Sequence, residues 1–334
     1  MRLSILDLAT VGTDTTPADA LAATTEFARA AEALGYHRFW VAEHHGMPAV
    51  ASAAPAVLIA HLAAATDTIR VGSGGVMLPN HAPLVIAEQF GTLVALHPGR
   101  IDLGLGRAPG SDQRTARALR RTGDGDSFPD DVVELLGYFT GAPGQVLAMP
   151  ARGYMPEVWL LGSSLFSAQL AGMLGLPFSF AYHFAPRYTE PALAAYRSSF
   201  RPSSVLREPY VALGVSVLCA PSEEEARYLA APSALSMLQL RRGELRPLAT
   251  PEEAAGYTYT EAERAIVEEV SSTHVIGDPT QVRAGLAELV ARLDVDEFIV
   301  STRVHRLEDR VRSAALVGEA MGLAPLRPDV LAGA

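Results

Sequence analysis

The chain has 334 residues, 49% of them apolar and 19% charged, a balance that supports a packed globule and excludes disorder over any long stretch. Its formal net charge of −10 disfavours nucleic acid and anionic membrane as partners, because neither polyanion is attracted over distance. All 27 basic residues are Arg, and without a Lys the chain cannot run Schiff-base aldol chemistry, pyridoxal phosphate linkage or a lysine-bearing phosphate loop. The one cysteine, Cys219, lies in an apolar run and reads as core, leaving no internal disulfide and no multi-cysteine metal site. No apolar run reaches the roughly 18 residues of a membrane span. Met1 to Leu8 lacks the apolar stretch of a signal peptide, so a cytoplasmic location is expected.

Along the chain, strand-like apolar runs alternate with helix-length amphipathic stretches, the pattern of parallel β/α units. The first strand is expected over Leu3–Leu8, followed by a helix over Pro17–Leu34. A second, Phe39–Ala42, ends in Glu43-His44-His45. The third, Ile69–Gly72, runs out into Ser73-Gly74-Gly75 with Pro79, Asn80 and His81 beyond, before a helix over Pro83–Leu96. The fourth, Ile101–Leu105, ends in Gly106-Arg107. The fifth, Val158–Leu161, ends in Gly162-Ser163-Ser164, where a helix to Leu174 begins. The sixth, Phe178–Ala181, ends in Tyr182-His183, and the seventh spans Val211–Cys219. A helix over Pro279–Leu293 precedes the eighth, Phe298–Ser301, which ends in Thr302-Arg303 with His305 beyond.

Eight such units fit an α/β fold, one (β/α)8 TIM barrel of about 250 residues enlarged by insertions, and hence a single domain over 1–334. Two spacings exceed a simple unit, near 107–157 and 220–297, and are expected at the C-terminal rim. Within the second, Arg241 to Thr260 is rich in Arg, Pro, Thr and Gly and reads as an exposed loop, a candidate lid.

Such barrels take their functional groups from the C-terminal ends of strands, and six of the eight ends here carry unusual polar residues. The Gly162-Ser163-Ser164 turn offers N–H groups and two hydroxyls at a positive helix end, which suits a phosphate. Plain N-capping explains the same serines. Arg107 can add a two-pronged contact to that phosphate, or pair with a surface carboxylate. The run Gly104-Leu105-Gly106-Arg107-Ala108-Pro109-Gly110 fails as a dinucleotide fingerprint, since its third glycine is one place late and Pro109 interrupts the turn.

Glu43-His44-His45 can be read with His81, His183 or His305 as a metal-dependent hydrolase site. Against that, the first strand has no His-x-His and the bridging Lys of such sites is missing. A histidine tunable near neutral pH suits proton transfer in a pocket better. Gly74-Gly75 is either a flexible exit from the third strand or a place where backbone approaches a flat ligand closely.

Taken in order, Phe39 to His45, Val71 to Pro83, Pro98-Gly99-Arg100, Gly104 to Arg107, Gly162 to Ser164, Leu174 to Phe178 and Val295 to Val300 resemble the bacterial luciferase-like flavin-dependent monooxygenases. The likeness is strongest to the luciferase-like oxygenases of actinomycetes, some of which tailor polyketides. It implies that His44 is the catalytic acid or base, that Gly74-Gly75 forms a non-proline cis peptide under the flavin ring, and that Arg107 with Gly162, Ser163 and Ser164 holds the FMN phosphate. Glu43 and Tyr182 join the cofactor-binding set by the same likeness, and no metal is implied.

It further implies a two-component enzyme and a homodimer. FMN arrives reduced from a separate flavin reductase, reacts with O2 to a flavin hydroperoxide, and oxygenates a small organic substrate such as a polyketide or other secondary metabolite. The Arg241 to Thr260 segment would exclude water. Light-emitting members carry a Cys immediately before the arginine, where this chain has Gly106, and an acidic residue where it has Gly162, so light emission is not expected. A deazaflavin-dependent dehydrogenase and a non-catalytic flavin-binding protein are the alternatives on the same barrel.

Overall fold

The computed structural model describes residues 1–108, 113–121 and 127–326. Its strands β1 (Arg2–Asp7), β2 (Arg38–Val41), β3 (Arg70–Met77), β4 (Ile101–Gly106), β5 (Glu157–Gly162), β6 (Phe178–Ala181) and β7 (Val211–Cys219) pair in parallel in chain order. A short β8 (Val275–Gly277) pairs only with the outer end of β7, and β9 (Glu297–Ser301) pairs with both β7 and β1. The eight strands other than β8 thus close into the expected (β/α)8 TIM barrel.

Around it run α1 (Pro17–Ala33), α2 (Pro55–Ala65), α3 (Pro83–Leu96), α4 (Gln113–Ala118), α5 (Phe128–Thr140), α6 (Leu165–Leu174), α7 (Thr189–Ser199), α8 (Glu223–Arg241), α9 (Pro251–Ala255), α10 (Glu261–Ser271), α11 (Pro279–Leu293) and α12 (Leu307–Ala320). Several start where the sequence announces them. Thr16 caps α1 reciprocally with Asp19, and Asp278 caps α11 with Gln281, each followed by Pro at the first turn, where its missing N–H costs nothing. Among the described residues no helix is long and apolar enough to cross a membrane.

Strand alternation divides the core in two. On β2, Phe39 and Val41 pack outward in the main apolar cluster with the helices, while Trp40 meets Trp159, Ala212 and Ile299 inside the barrel. Trp40 and Trp159 lie edge to face at 5.2 Å, and Trp159 meets Tyr210 at 5.6 Å, contacts of about 0.5–1.5 kcal/mol each beyond the area they bury.

Below them the barrel is closed by charge. Arg38, 1% exposed, donates from Nε to Glu297 (2.8 Å) and from Nη1 to Asp102 (2.8 Å) and Glu157 (3.1 Å). Both indoles donate into the same group, Trp40 to Asp102 (2.9 Å) and Trp159 to Glu157 (3.0 Å), and Ser4 and Tyr210 donate to Glu297. Arg70 completes the set against Asp102. The Asp102 and Glu297 carboxylates hold the Arg38 guanidinium charged despite the burial that disfavours it.

The structure departs from the sequence reading in three places. Gly74-Gly75 is not a flexible exit: β3 continues through it to Met77, shifting register against β4 between Gly74 and Val76. Strand β8 was not expected, because three residues are too short to show a period. The Arg241 to Thr260 segment is not a free loop, since it contains α9 and docks Leu248 against the first β/α connection. Leu248 donates to the Val11 carbonyl (2.9 Å) and accepts from the Thr13 amide (2.9 Å).

Removing one partner of a buried ion group leaves the other uncompensated, which costs roughly 3–5 kcal/mol. Asp102→Ala is therefore expected to lower the unfolding free energy by that amount, read as a fall in the urea midpoint with the slope of the transition unchanged. A loss below about 1 kcal/mol would mean that the closed floor is dispensable.

Candidate active site at the barrel mouth

Above the two indoles the interior residues become small, and the barrel opens into a cavity of ≈ 340 Å³, within the usual range for a small-molecule site. Strand alternation decides what enters it. From Arg38 on the floor, every second residue of β2 and its extension faces inward, through Trp40 and Ala42 to His44. On β9 the same count runs Glu297, Ile299, Ser301, Arg303, and on β5 it runs Glu157, Trp159, Leu161, Ser163. His44, Gly74, Gly75, Arg107, Gly162, Ser163 and Ser164 all line this one cavity. The Gly74–Gly75 peptide is cis. Pro109 and Gly110 lie outside the described residues.

Two of the expected cofactor-binding residues, Glu43 and Tyr182, are out of phase with the strand positions that line this cavity. Glu43 is fully buried, and it accepts from the Met77 amide (2.9 Å) and Asn80 Nδ2 (3.0 Å) and pairs with Nε2 of both His45 (2.9 Å) and His81 (3.0 Å). Burial alone would raise its pKa, yet these hydrogen bonds, led by His81, hold it below the usual carboxylate range. Its work is to tie the strand-3 exit under His44. Tyr182 likewise points away, its hydroxyl accepting from Arg292 of α11 (3.1 Å), while its neighbours Ala181 and His183 face in. Among the described residues no three His, Cys, Asp or Glu are grouped as a metal site.

At the β4–β5 corner Arg107 lies over the Phe166 ring of α6, 4.5 Å from its centroid, which parks the guanidinium beside that helix's N-terminus. Ser164 occupies the N-cap of α6 but makes no side-chain capping bond. Its hydroxyl, Ser163 and the first-turn amides are thus left to the cavity, at the positive end of a ten-residue helix. The expectation of plain capping does not hold here.

The opposite wall was less visible in the sequence. His183 donates from Nδ1 to the Gly214 carbonyl (2.8 Å), and burial lowers its pKa. His274, just before β8, also faces the cavity, with Ser216 of β7 and with Ser233 and Met237 of α8. Helix α8, rather than Arg241 to Thr260, therefore roofs the mouth. His274 had no signal of its own, because it belongs to no barrel strand. Among the described residues no Asp or Glu lines the cavity, though the chain as a whole is acidic.

A family model described as luciferase-like monooxygenase matches residues 1–297. The chain belongs to that family. It is 48% identical over 320 residues to a luciferase-like monooxygenase of Escherichia coli K12, covering 95% of this chain and 96% of the relative. It is 34% identical over 334 residues to the N-acetyl-S-alkylcysteine monooxygenase of Bacillus subtilis, covering 96% and 98%. The crystal structure of apo-MsnO8 superposes with a TM-score of 0.88 at 36% identity, covering 97% and 99%. Membership makes the chain an enzyme and fits a flavin site at this mouth.

Burial, followed by His183 and Arg303 nearby, pushes the His274 pKa down to about 4. The fold thus stabilises the neutral imidazole, whereas the unfolded chain takes up a proton near pH 6.5. This contribution is whole above that pH and is lost as pH falls toward 4. His274→Leu is expected to shrink the fall in Tm over that window. An identical fall in both proteins would mean that His274 titrates normally.

Proposed function

We propose that the protein is a flavin-dependent monooxygenase that takes reduced FMN from a separate reductase. The observation that carries this reading is the β4–β5 corner, where a stacked Arg107 and an uncapped helix N-terminus face a cavity with no Asp or Glu among its described lining residues. A phosphate monoester fits those donors, through paired N–H···O bonds from the guanidinium and the amides of α6. The cis Gly74–Gly75 backbone and Leu161 beside it offer a flat apolar wall for the ring. No nicotinamide fingerprint accompanies the site, which agrees with electrons arriving on the flavin.

Reduced FMN bound there supplies the electrons with which one atom of O2 enters the substrate and the other leaves as water. The chain's own residues set the conditions. Arg107, Ser163 and Ser164 fix the phosphate, and His44 is placed to hold or deliver a proton at its imidazole in the mouth. Ser233 and Met237 of α8 limit the entry of water, which competes with oxygen transfer.

The phosphate assignment separates FMN from riboflavin. Arg107→Ala is expected to weaken FMN binding about tenfold or more, the worth of a charge-assisted contact, while riboflavin binding stays as in wild type. Equal loss of both ligands would place Arg107 elsewhere. His44→Ala should bind reduced FMN normally yet form no oxygenated product. In stopped flow, anaerobic reduced FMN with the protein, mixed with oxygenated buffer, should show a flavin absorbance transient outlasting the oxidation of free flavin. Failure to bind reduced FMN, with binding of a reduced deazaflavin and turnover without oxygen, would make the enzyme a dehydrogenase instead.

A further inference from the structure

Arg303 sits at the mouth of β9, and in the ring β1, β2, β3, β4, β5, β6, β7, β9 that strand is diametrically opposite β4, which carries Arg107. The two guanidinia therefore face each other across the cavity and cannot serve one phosphate. Arg107 has an anion to hold if the flavin reading is right. Arg303 has none.

Its only hydrogen bond among the described residues runs from Nη2 to Ser236 Oγ of α8 (3.3 Å), and its Nε is shut off from solvent with no acceptor. No described carboxylate pairs with it, and burial with no offsetting acid lowers its pKa. The residue is partly exposed while its Nε is enclosed, and withdrawing even part of a guanidinium from water without a counter-charge is costly, a charge that a bound anion can supply. The neighbours sharpen the match. His183 and His274 have lowered pKa values and add no charge at neutral pH, so the corner carries one positive charge. Ser216 and Ser233 add hydroxyls.

A second chamber of ≈ 250 Å³ opens on the far side of Arg303, His274, Ser216 and Ser233, which line both spaces. Its remaining walls are largely apolar, with Ala230, Ala231 and Val267 among them; Arg227 also lines it but is paired with Glu223 (2.6 Å), and among the described residues no Asp or Glu does. An acid group on Arg303 would stand between the flavin cavity and this chamber.

We propose that the Arg303 corner is the substrate subsite and takes a monoanionic carboxylic acid, its carboxylate on the Arg303 guanidinium and part of its apolar body in the chamber beneath α8. This rests on the flavin reading of the Arg107 corner, which assigns the other half of the cavity to the cofactor. The carboxylate can accept two N–H bonds from the terminal nitrogens of the Arg303 guanidinium, which lines the cavity and is partly exposed.

The test uses FMN-loaded protein and a panel of acids, straight-chain from acetate to decanoate together with benzoate, each titrated against its own primary amide. Flavin absorbance and Tm are the readouts. At least one acid is expected to bind about tenfold or more tighter than its amide. Arg303→Gln should abolish that preference, Arg303→Lys should keep part of it, and FMN affinity should be unchanged in both. Arg303→Met supplies an independent readout, because removing an unpaired buried charge should leave the ligand-free Tm at or above that of wild type.

No preference for acids in wild type across the panel, or a preference that survives Arg303→Gln, overturns the proposal. A fall in Tm with Arg303→Met overturns it as well, assigning the side chain to fastening α8 through Ser236. If FMN itself fails to bind wild type, the flavin reading falls instead, and acid preference measured on the FMN-free protein still reports on Arg303 separately.

Discussion

The ion group around Arg38 is the constraint from which the rest of the barrel can be counted. Ions in a protein interior are tolerable only when every donor is matched, and here three carboxylates, two indoles, a serine and a tyrosine are arranged around one guanidinium. The participants come from β1, β2, β3, β4, β5, β7 and β9 or the residue leading into one of them. A slip of one residue on any of these strands would turn its charged side chain into the apolar layer under the helices. The group thus specifies register where apolar alternation alone would permit error. Register at the floor fixes which side chains face the mouth six residues later.

That phase relation explains the composition of the site. His44, Ser163 and Arg303 are cavity residues because they lie an even number of positions beyond Arg38, Glu157 and Glu297. The middle layer is filled by Trp40 and Trp159, and space appears above it because the next inward positions are small, with Gly74 on β3 and Gly214 and Ser216 on β7. A side chain at Gly74 would come within 3.0 Å of Trp40, and one at Gly75 within 2.7 Å of the Gly104 carbonyl. The glycines that admit a ligand are therefore the same ones that let β3 and β4 pass the large indole layer.

Much of this was legible in the sequence. Eight apolar runs separated by helix-length stretches pointed to the barrel, and Pro at helix starts together with the Ser163-Ser164 turn placed α1, α3, α11 and α6 within a residue or so. Chemistry at strand ends picked out the His44-His45 pair, Arg107 and the serine turn, and the family resemblance singled out His44. For Glu43 and Tyr182 residue type was weighed without phase: each is adjacent to an inward residue, and on a strand adjacency means the opposite face. The Arg38, Asp102 and Glu297 charges stood in plain view inside apolar runs, and their common inward phase was the missed signal. His274 and α8 were not legible, since their place over the mouth depends on how a long β7–β9 connection folds back, which no local periodicity records.

The barrel is also polarised along its axis. Its floor gathers three carboxylates around two arginines, while among the described residues its mouth is lined by two arginines and three histidines with no carboxylate. In a chain of net charge −10, that separation costs self-energy at the mouth. The expense is unequal at its two arginines. Arg107 is stacked on Phe166 beside amides of the same sign, whereas Arg303 lies beneath α8 with its Nε enclosed and one weak hydroxyl contact. Of the two, Arg303 gains more from a counter-charge, because electrostatic attraction strengthens as water is removed. On the proposed reading, an anionic substrate docking there would complete the roof of the cavity as it fills it, which would couple substrate arrival to the exclusion of water from the flavin.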